Sequence, residues 1–190
     1  MTTSLPLHFK TEKAFRQWLI KNHVDSDGIW LRFFKKASEI KSVTYAEALD
    51  QALCYGWIDG QRKPLDELSW IHRFTPRRPQ SGWSKINTDH VERLIKAGLM
   101  TVAGLREVEV AKKDERWEKA YPSSKNAVPP ADFLNELGKN KKAKAFFESL
   151  NRTNVYSIIY RLHTAKKPET REKRMKAILA MMADGKKFHP

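Results

Sequence analysis

Every strand-like segment of this chain lies before residue 80, and every segment after Trp83 has helical spacing. Residues 29–36 alternate between two sets of side chains, as strands do, and shorter segments of this kind occur at residues 57–59 and 70–75. The apolar share of 41% is enough for a core. We therefore predict an α+β protein, mostly helical, with a small antiparallel sheet in the N-terminal half and a helical C-terminal module.

The strand at residues 29–36 carries rings on both faces, with Phe33 on one side and Trp30 and Phe34 on the other. A strand that is covered on both faces usually lies inside its sheet. We therefore predict that this strand is the central one.

Helix starts and stops can be read from local signals. Residues 12–22 have the apolar spacing of a helix, and Thr44 followed by Glu47 forms a capping box for a helix that Gly56 ends. Asn87 is predicted to cap a helix at residues 88–97. The remaining helices are predicted at residues 100–113, 114–121, 131–137, 141–150, 153–165 and 168–183.

Residues 122–130 combine three prolines with small polar residues and are the best linker candidate. They divide the chain into a predicted α+β domain at residues 1–125 and a helical domain at residues 126–190. Only the first few residues and the last four are expected to lie free of the fold.

The chain is basic, with a net charge of +14, and it has one cysteine. Such a charge favours anionic partners such as nucleic acid or acidic small molecules, although it also serves solubility alone. A single cysteine cannot form an internal disulfide, which fits a reducing compartment. The chain shows neither a signal-like N-terminus nor a membrane span, so we expect a cytoplasmic protein without membrane insertion.

The sharpest functional signal is a set of rings, arginines and turn residues between positions 54 and 87. Arginine forks match phosphate or carboxylate groups, and tryptophan rings stack on planar groups. The predicted ligand-binding residues are Trp57, Asp59, Arg73, Thr75, Arg77, Arg78, Trp83, Ser84 and Asn87. Together they suggest a pocket for an anionic or planar ligand.

Each of these residues also has a structural interpretation. The arginines could pair with Asp59, Asp66 or Glu67 as structural bridges, and the tryptophans could belong to the core. Asp59 could cap the turn at Gly60, and Ser84 and Asn87 could be helix caps. The six histidines show no metal-ligand spacing, so neither a metal nor a cofactor is predicted.

Several motifs resemble the YdeI/OmpD-associated family, also described as bacteriocin-protection proteins. They are Tyr-Gly-Trp-Ile-Asp-Gly at residues 55–60, Arg-Phe-Thr-Pro-Arg-Arg at 73–78, the segment 83–87, and the basic stretch 165–175 with Gly-Lys-Lys at 185–187. The resemblance covers about residues 12–187. It implies a link to tolerance of cationic antimicrobial peptides and to an outer-membrane porin, and it carries over no catalytic residue.

Three functions remain open from the sequence. The first is a cytoplasmic protein that binds an anionic small or nucleotide-like ligand, and the second is a nucleic-acid-binding module. The third is an enzyme with Asp59 as base and the arginines as an oxyanion clamp, for which the sequence offers no nucleophile. A chain of charge +14 does not attract cationic peptides over long distances, so any protective role is expected to be indirect.

Overall fold

The structure is a computed structural model that describes residues 5–190. It divides into two compact units. The first runs to Trp83 and resumes over Asn87–Lys119, and the second consists of Ser84–Ile86 and Ala120–Pro190. The expectation about the first few residues concerns residues 1–4, which lie outside the described part.

The described residues form eight α-helices and a single three-stranded antiparallel sheet, which confirms the predicted α+β class. The elements are α1 (Glu12–Asn22), β1 (Ile29–Phe34), α2 (Tyr45–Cys54), β2 (Trp57–Pro64), β3 (Ser69–Pro76), α3 (Lys85–Lys96), α4 (Val102–Lys113), α5 (Ala131–Gly138), α6 (Lys141–Glu148), α7 (Arg152–His163) and α8 (Pro168–Ala183).

The strand order is β1-β3-β2, so the central strand is β3. The prediction that the strand at residues 29–36 is central was wrong. Leu7 lies on the side of β1 away from β3. Its backbone amide donates to the carbonyl of Trp30, and its carbonyl accepts from the amide of Arg32, each at 2.8 Å. This short contact covers part of the edge backbone.

The two faces of the sheet differ in burial. The inner face carries Leu31, Phe33 and Phe74, which are almost fully buried. Phe15 of α1 is also fully buried and packs edge-on against Phe74, with 6.0 Å between the ring centres. On the outer face, every second residue of β1 is only partly buried, beginning with Trp30. Rings therefore occur on both faces although only the inner face is a core.

The local signals at α2 are confirmed. The Thr44 hydroxyl accepts from the amide of Glu47, and the Glu47 carboxylate accepts from the amide of Thr44 at 2.8 Å. Gly56 follows the helix with φ of 72°, a left-handed conformation that favours glycine. It thereby turns the chain directly into β2.

Two helix predictions between residues 84 and 121 were wrong. Helix α3 begins at Lys85, so Asn87 is a buried residue inside the helix rather than its cap. Residues 114–119 form turns and Tyr121 forms an isolated bridge, so the segment 114–121 is not a helix. The reason is Glu115, whose φ of 61° is left-handed and interrupts the helical path after α4.

The second unit contains the four helices α5 to α8 around its own core. Residues 122–130, the predicted linker, form neither helix nor strand. Side chains of Asn140 and Asn151 cap α6 and α7. The buried core consists of Phe133, Leu137, Ala143, Ile158, Leu162, Ile178 and Met182.

The last residues of the chain are held by Asn154 of α7, which is 1% exposed. Its amide oxygen accepts from the backbone amides of Phe188 and His189, each at 3.0 Å, and its amide nitrogen donates to the His189 carbonyl at 3.3 Å. The expectation that the last four residues are free was therefore wrong for Phe188 and His189.

Candidate functional site

The predicted ligand residues fall into several separate places in the structure. Arg73 and Thr75 lie on the outer face of the sheet, whereas Asp59 lies on the inner face as the partner of Phe74. Arg77 and Trp83 contact each other beyond the end of β3. Their ligand-binding roles stay predictions, but they do not share one pocket.

The outer face is the most accessible of these places, and we call it the open sheet face. Its members are Trp30, Arg32 and Phe34 of β1, Ile71, Arg73 and Thr75 of β3, and Lys63 of β2. Most are partly buried and Lys63 is exposed, so the face presents rings and cations to the surface.

Trp30 and Arg73 stand side by side on the open sheet face because they are directly paired across β1 and β3. Paired residues on an antiparallel sheet point to the same side, with Cβ atoms about 5 Å apart. The ammonium of Lys63 lies 4.9 Å from the centre of the Trp30 ring. A large ring is thus flanked by two cations.

The guanidinium of Arg73 makes weak contacts with Asp27. Its Nη2 donates to the Asp27 carbonyl over a long 3.4 Å and lies 3.9 Å from the carboxylate, whose side chain is fully exposed. Gly28 makes this approach possible, since a Cβ there would lie 2.6 Å from Thr75 Cγ2 and 3.0 Å from Arg73 Nη2. The glycine therefore leaves room for both side chains.

A second ring and cation lie further along β1. The guanidinium carbon of Arg32 is 4.4 Å from the centre of the Phe34 ring. Arg32 also donates to Asp66 at 2.6 Å. A hydrogen bond from the Ser69 hydroxyl, together with the charge of Arg32, lowers the pKa of Asp66 below its ordinary value. Arg32 is consequently held in place next to Phe34.

Asp59 belongs to a polar cluster on the inner face. The Tyr45 hydroxyl donates to Asp59 Oδ2 at 2.8 Å, and His72 Nε2 lies 3.4 Å from the same oxygen. His72 Nε2 donates to the Gly60 carbonyl at 3.1 Å, and the imidazole stacks on the Tyr45 ring. His72 Nδ1 is buried and has no hydrogen-bond partner within the described part of the chain.

The chemistry of this cluster argues against Asp59 as a general base. Burial alone would raise the pKa of Asp59, but hydrogen bonds from His72 and Tyr45 outweigh it, and the pKa lies below its ordinary value. Burial and the charge of Asp59 raise the pKa of Tyr45, so its hydroxyl stays protonated. A carboxylate with a lowered pKa is a weaker base, and this cluster is better suited to holding β2, β3 and α2 together.

The other predicted residues occupy mainly structural positions. Trp57 is 1% exposed and its indole donates to the His23 carbonyl at 3.1 Å, so it belongs to the core. Arg77 is 7% exposed and stacks on the buried Trp83. Arg78 is exposed, and Ser84 lies at an isolated bridge with Tyr121.

Six residues of these two places were absent from the predicted site: Trp30, Arg32, Phe34 and Lys63 on the open sheet face, and Tyr45 and His72 beside Asp59. The period of two does place Trp30 and Phe34 on one face of a strand. The pairing of Trp30 with Arg73, 43 positions later, depends on strand register and has no local signal.

Within residues 5–190, no group of three or more His, Cys, Asp or Glu side chains is close enough to hold a metal ion. No helix in that range is long and apolar enough to cross a membrane.

These features define an α+β protein whose small sheet has one open face of rings and cations, followed by a helical unit. Residues 7–107, which contain the sheet, match the family described as a domain of unknown function, DUF8412, and the chain belongs to that family. Residues 126–185, which contain α5 to α8, match the family described as bacteriocin-protection, YdeI or OmpD-associated. The predicted resemblance to this second family is therefore confirmed for residues 126–185, whereas the motifs at residues 55–60, 73–78 and 83–87 lie in the part that matches DUF8412. No match is found among curated proteins or among solved structures.

Proposed function

We propose that this protein is a non-enzymatic cytoplasmic protein that binds an anionic ligand with a planar ring, such as a nucleotide, on the open sheet face. One observation carries the proposal: Trp30 and Arg73 are paired across β1 and β3, and both are only partly buried. The ring of the ligand stacks on Trp30, and its phosphate or carboxylate accepts hydrogen bonds from Arg73.

Lys63 does not prevent stacking on Trp30. Its ammonium lies 4.9 Å from the ring centre, but the side chain is exposed and flexible. A cation–π contact at an exposed site is worth about 0.5–1 kcal/mol, whereas stacking of a base on an aromatic side chain is worth about 1–3 kcal/mol. A ligand ring therefore displaces the ammonium from Trp30, and Lys63 remains close enough to contact the anionic group.

Arg73 is also available to the ligand. Its partner Asp27 is fully exposed and 3.9 Å away, and such surface pairs contribute about 0–1 kcal/mol. A charge-assisted hydrogen bond to a ligand is worth about 1.5–3 kcal/mol. The exchange of Asp27 for a phosphate group is therefore favourable.

This proposal makes the protective role indirect. With a net charge of +14, the chain repels cationic peptides at long range rather than collecting them. Protection then depends on the ligand that the protein binds in the cytoplasm. The single cysteine, Cys54, is buried and unpaired, which is compatible with a reducing compartment.

The test is to titrate the full chain with AMP, ATP and inorganic phosphate and to measure binding by tryptophan fluorescence and by thermal shift. We expect AMP and ATP to quench fluorescence, and Arg73→Ala to weaken their binding about tenfold or more, which corresponds to about 1.4 kcal/mol. Arg106→Ala removes an exposed arginine of α4 and should leave binding unchanged. Absence of nucleotide binding, or equal loss in both variants, would refute the proposal.

A further inference from the structure

We infer that the natural occupant of the open sheet face is single-stranded nucleic acid rather than a free nucleotide. The inference rests on the proposed function and names its ligand class. Its basis is that the face carries two rings, each with a cation beside it. Lys63 lies 4.9 Å from the centre of the Trp30 ring, and Arg32 lies 4.4 Å from the centre of the Phe34 ring. A single nucleotide has one base and leaves the second ring unused.

The spacing of the two rings suits a strand with separated bases. Trp30 and Phe34 are four residues apart on one face of β1, which corresponds to about 13–14 Å along a strand. Adjacent stacked bases are only about 3.4 Å apart. Two bases that occupy both rings must therefore come from an extended strand, with at least one nucleotide between them.

The cations lie where the backbone of such a strand passes. Arg32 stands between the two rings on the same face of β1, and Arg73 and Lys63 flank Trp30. The carboxylates near them, Asp27 and Asp66, are at least two-fifths exposed. A face with three cations on a chain of charge +14 complements a polyphosphate backbone.

The bases must be unpaired to use these rings. In a duplex the bases stack on one another and only their edges are accessible, whereas single strands can turn their bases onto aromatic side chains. Trp30 and Phe34 are partly exposed on this sheet surface, and a base that stacks beside Phe34 also meets the Arg32 guanidinium, which lies 4.4 Å from the ring centre. Duplex nucleic acid should therefore bind through charge alone, and more weakly.

The full chain is titrated into labelled single-stranded oligonucleotides of one, two, four and eight nucleotides at a fixed salt concentration. Fluorescence anisotropy gives the affinity for each length. We expect affinity to rise about tenfold or more between one and four nucleotides, since a second stacked base is added. Phe34→Ala should remove most of that gain with length, whereas Trp30→Ala should weaken the binding of AMP and of every oligonucleotide. Tyr160→Ala, an exposed ring on α7, is the matched control.

The outcomes separate the two proposals. Binding of AMP with no gain in length overturns the inference and leaves the proposed function standing. Inorganic polyphosphate or duplex that binds as tightly as the single strand also overturns it, because charge alone then suffices. Absence of binding to AMP and to every oligonucleotide overturns both. A thermal midpoint of Phe34→Ala close to that of the wild type shows that this variant is folded, and an unchanged gain of affinity with oligonucleotide length in this variant refutes the role of the second ring.

Discussion

The guanidinium carbon of Arg77 lies 3.4 Å from the centre of the Trp83 ring, and both side chains are more than nine-tenths buried. Arg77 also donates to the Gly82 carbonyl at 3.3 Å. The ring of Trp117 packs against the Trp83 ring, with 5.0 Å between the ring centres. The stack thus closes the loop after β3 and joins it to the turn that follows α4.

Arg77→Ala is expected to destabilise the folded protein by about 2 kcal/mol, because a desolvated cation–π contact and its packing are lost. Arg78→Ala, one residue later and exposed, should stay within about 0.5 kcal/mol of the wild type. Urea unfolding followed by tryptophan fluorescence gives both values. Equal stability of the two variants would show that the stack contributes little.

The Asp59 cluster predicts a pH dependence of stability. The pKa of Asp59 is lowered in the folded protein. The ionised carboxylate therefore stabilises the fold at pH values above the ordinary pKa of a carboxyl group, which is about 4. This stabilisation is lost as the pH falls through the lower pKa of the folded protein. Asp59→Asn should therefore be less stable at pH 7 and lose less stability on acidification than the wild type.

The control for this change is Asp25→Asn, which removes an exposed carboxylate. Tyr45→Phe should give an intermediate result, since it removes one hydrogen bond to Asp59, worth about 1 kcal/mol. Urea midpoints between pH 3 and pH 7 provide the comparison. If Asp59→Asn and Asp25→Asn have the same slope, the cluster does not contribute to acid unfolding.

Gly104→Ala should destabilise the protein although alanine is the better helix former. A Cβ at residue 104 would lie 2.4 Å from the carbonyl oxygen of Cys54 and 2.8 Å from that of Leu53, where α4 meets the end of α2. Overpacking costs about 1–3 kcal/mol and outweighs a helix-propensity gain of about 0.8–1 kcal/mol. Thermal unfolding should show a lower midpoint.

Gly138→Ala provides the matched comparison, because nothing lies within 4 Å of a Cβ at that position in α5. We expect it to be neutral or to stabilise by as much as about 1 kcal/mol. A Gly104→Ala variant that melts at or above the wild-type temperature would mean that α4 moves away from Cys54 at little cost.

Asn154→Leu should release the C-terminal residues from α7. The substitution leaves the amides of Phe188 and His189 without their acceptor, which costs about 1–3 kcal/mol if they stay buried. We expect faster hydrogen exchange at these amides and earlier proteolytic cleavage after Lys187. Asn135→Ala, on an exposed position of α5, is the control. Exchange that is equally slow in both variants would contradict the tethering role of Asn154.

Several local elements could be predicted from the sequence alone. The capping box of Thr44 and Glu47 and the proline that begins α8 act within one helical turn, so they could be read without knowing the fold. The periods of two and 3.6 likewise separated the sheet-forming part from the helical part. These signals depend on neighbours in the chain, and the predicted class and the bounds of α1 and α8 agree with the structure.

Which of these residues contact one another depends on the tertiary structure. Strand order made β3 central, and strand register placed Arg73 next to Trp30 while Asp59 faces the core with His72. Neither follows from propensity, because a shift of one residue moves every side chain to the opposite face. The predicted pocket grouped residues that are close in sequence, whereas the open sheet face joins residues from three strands that only the antiparallel pairing brings together.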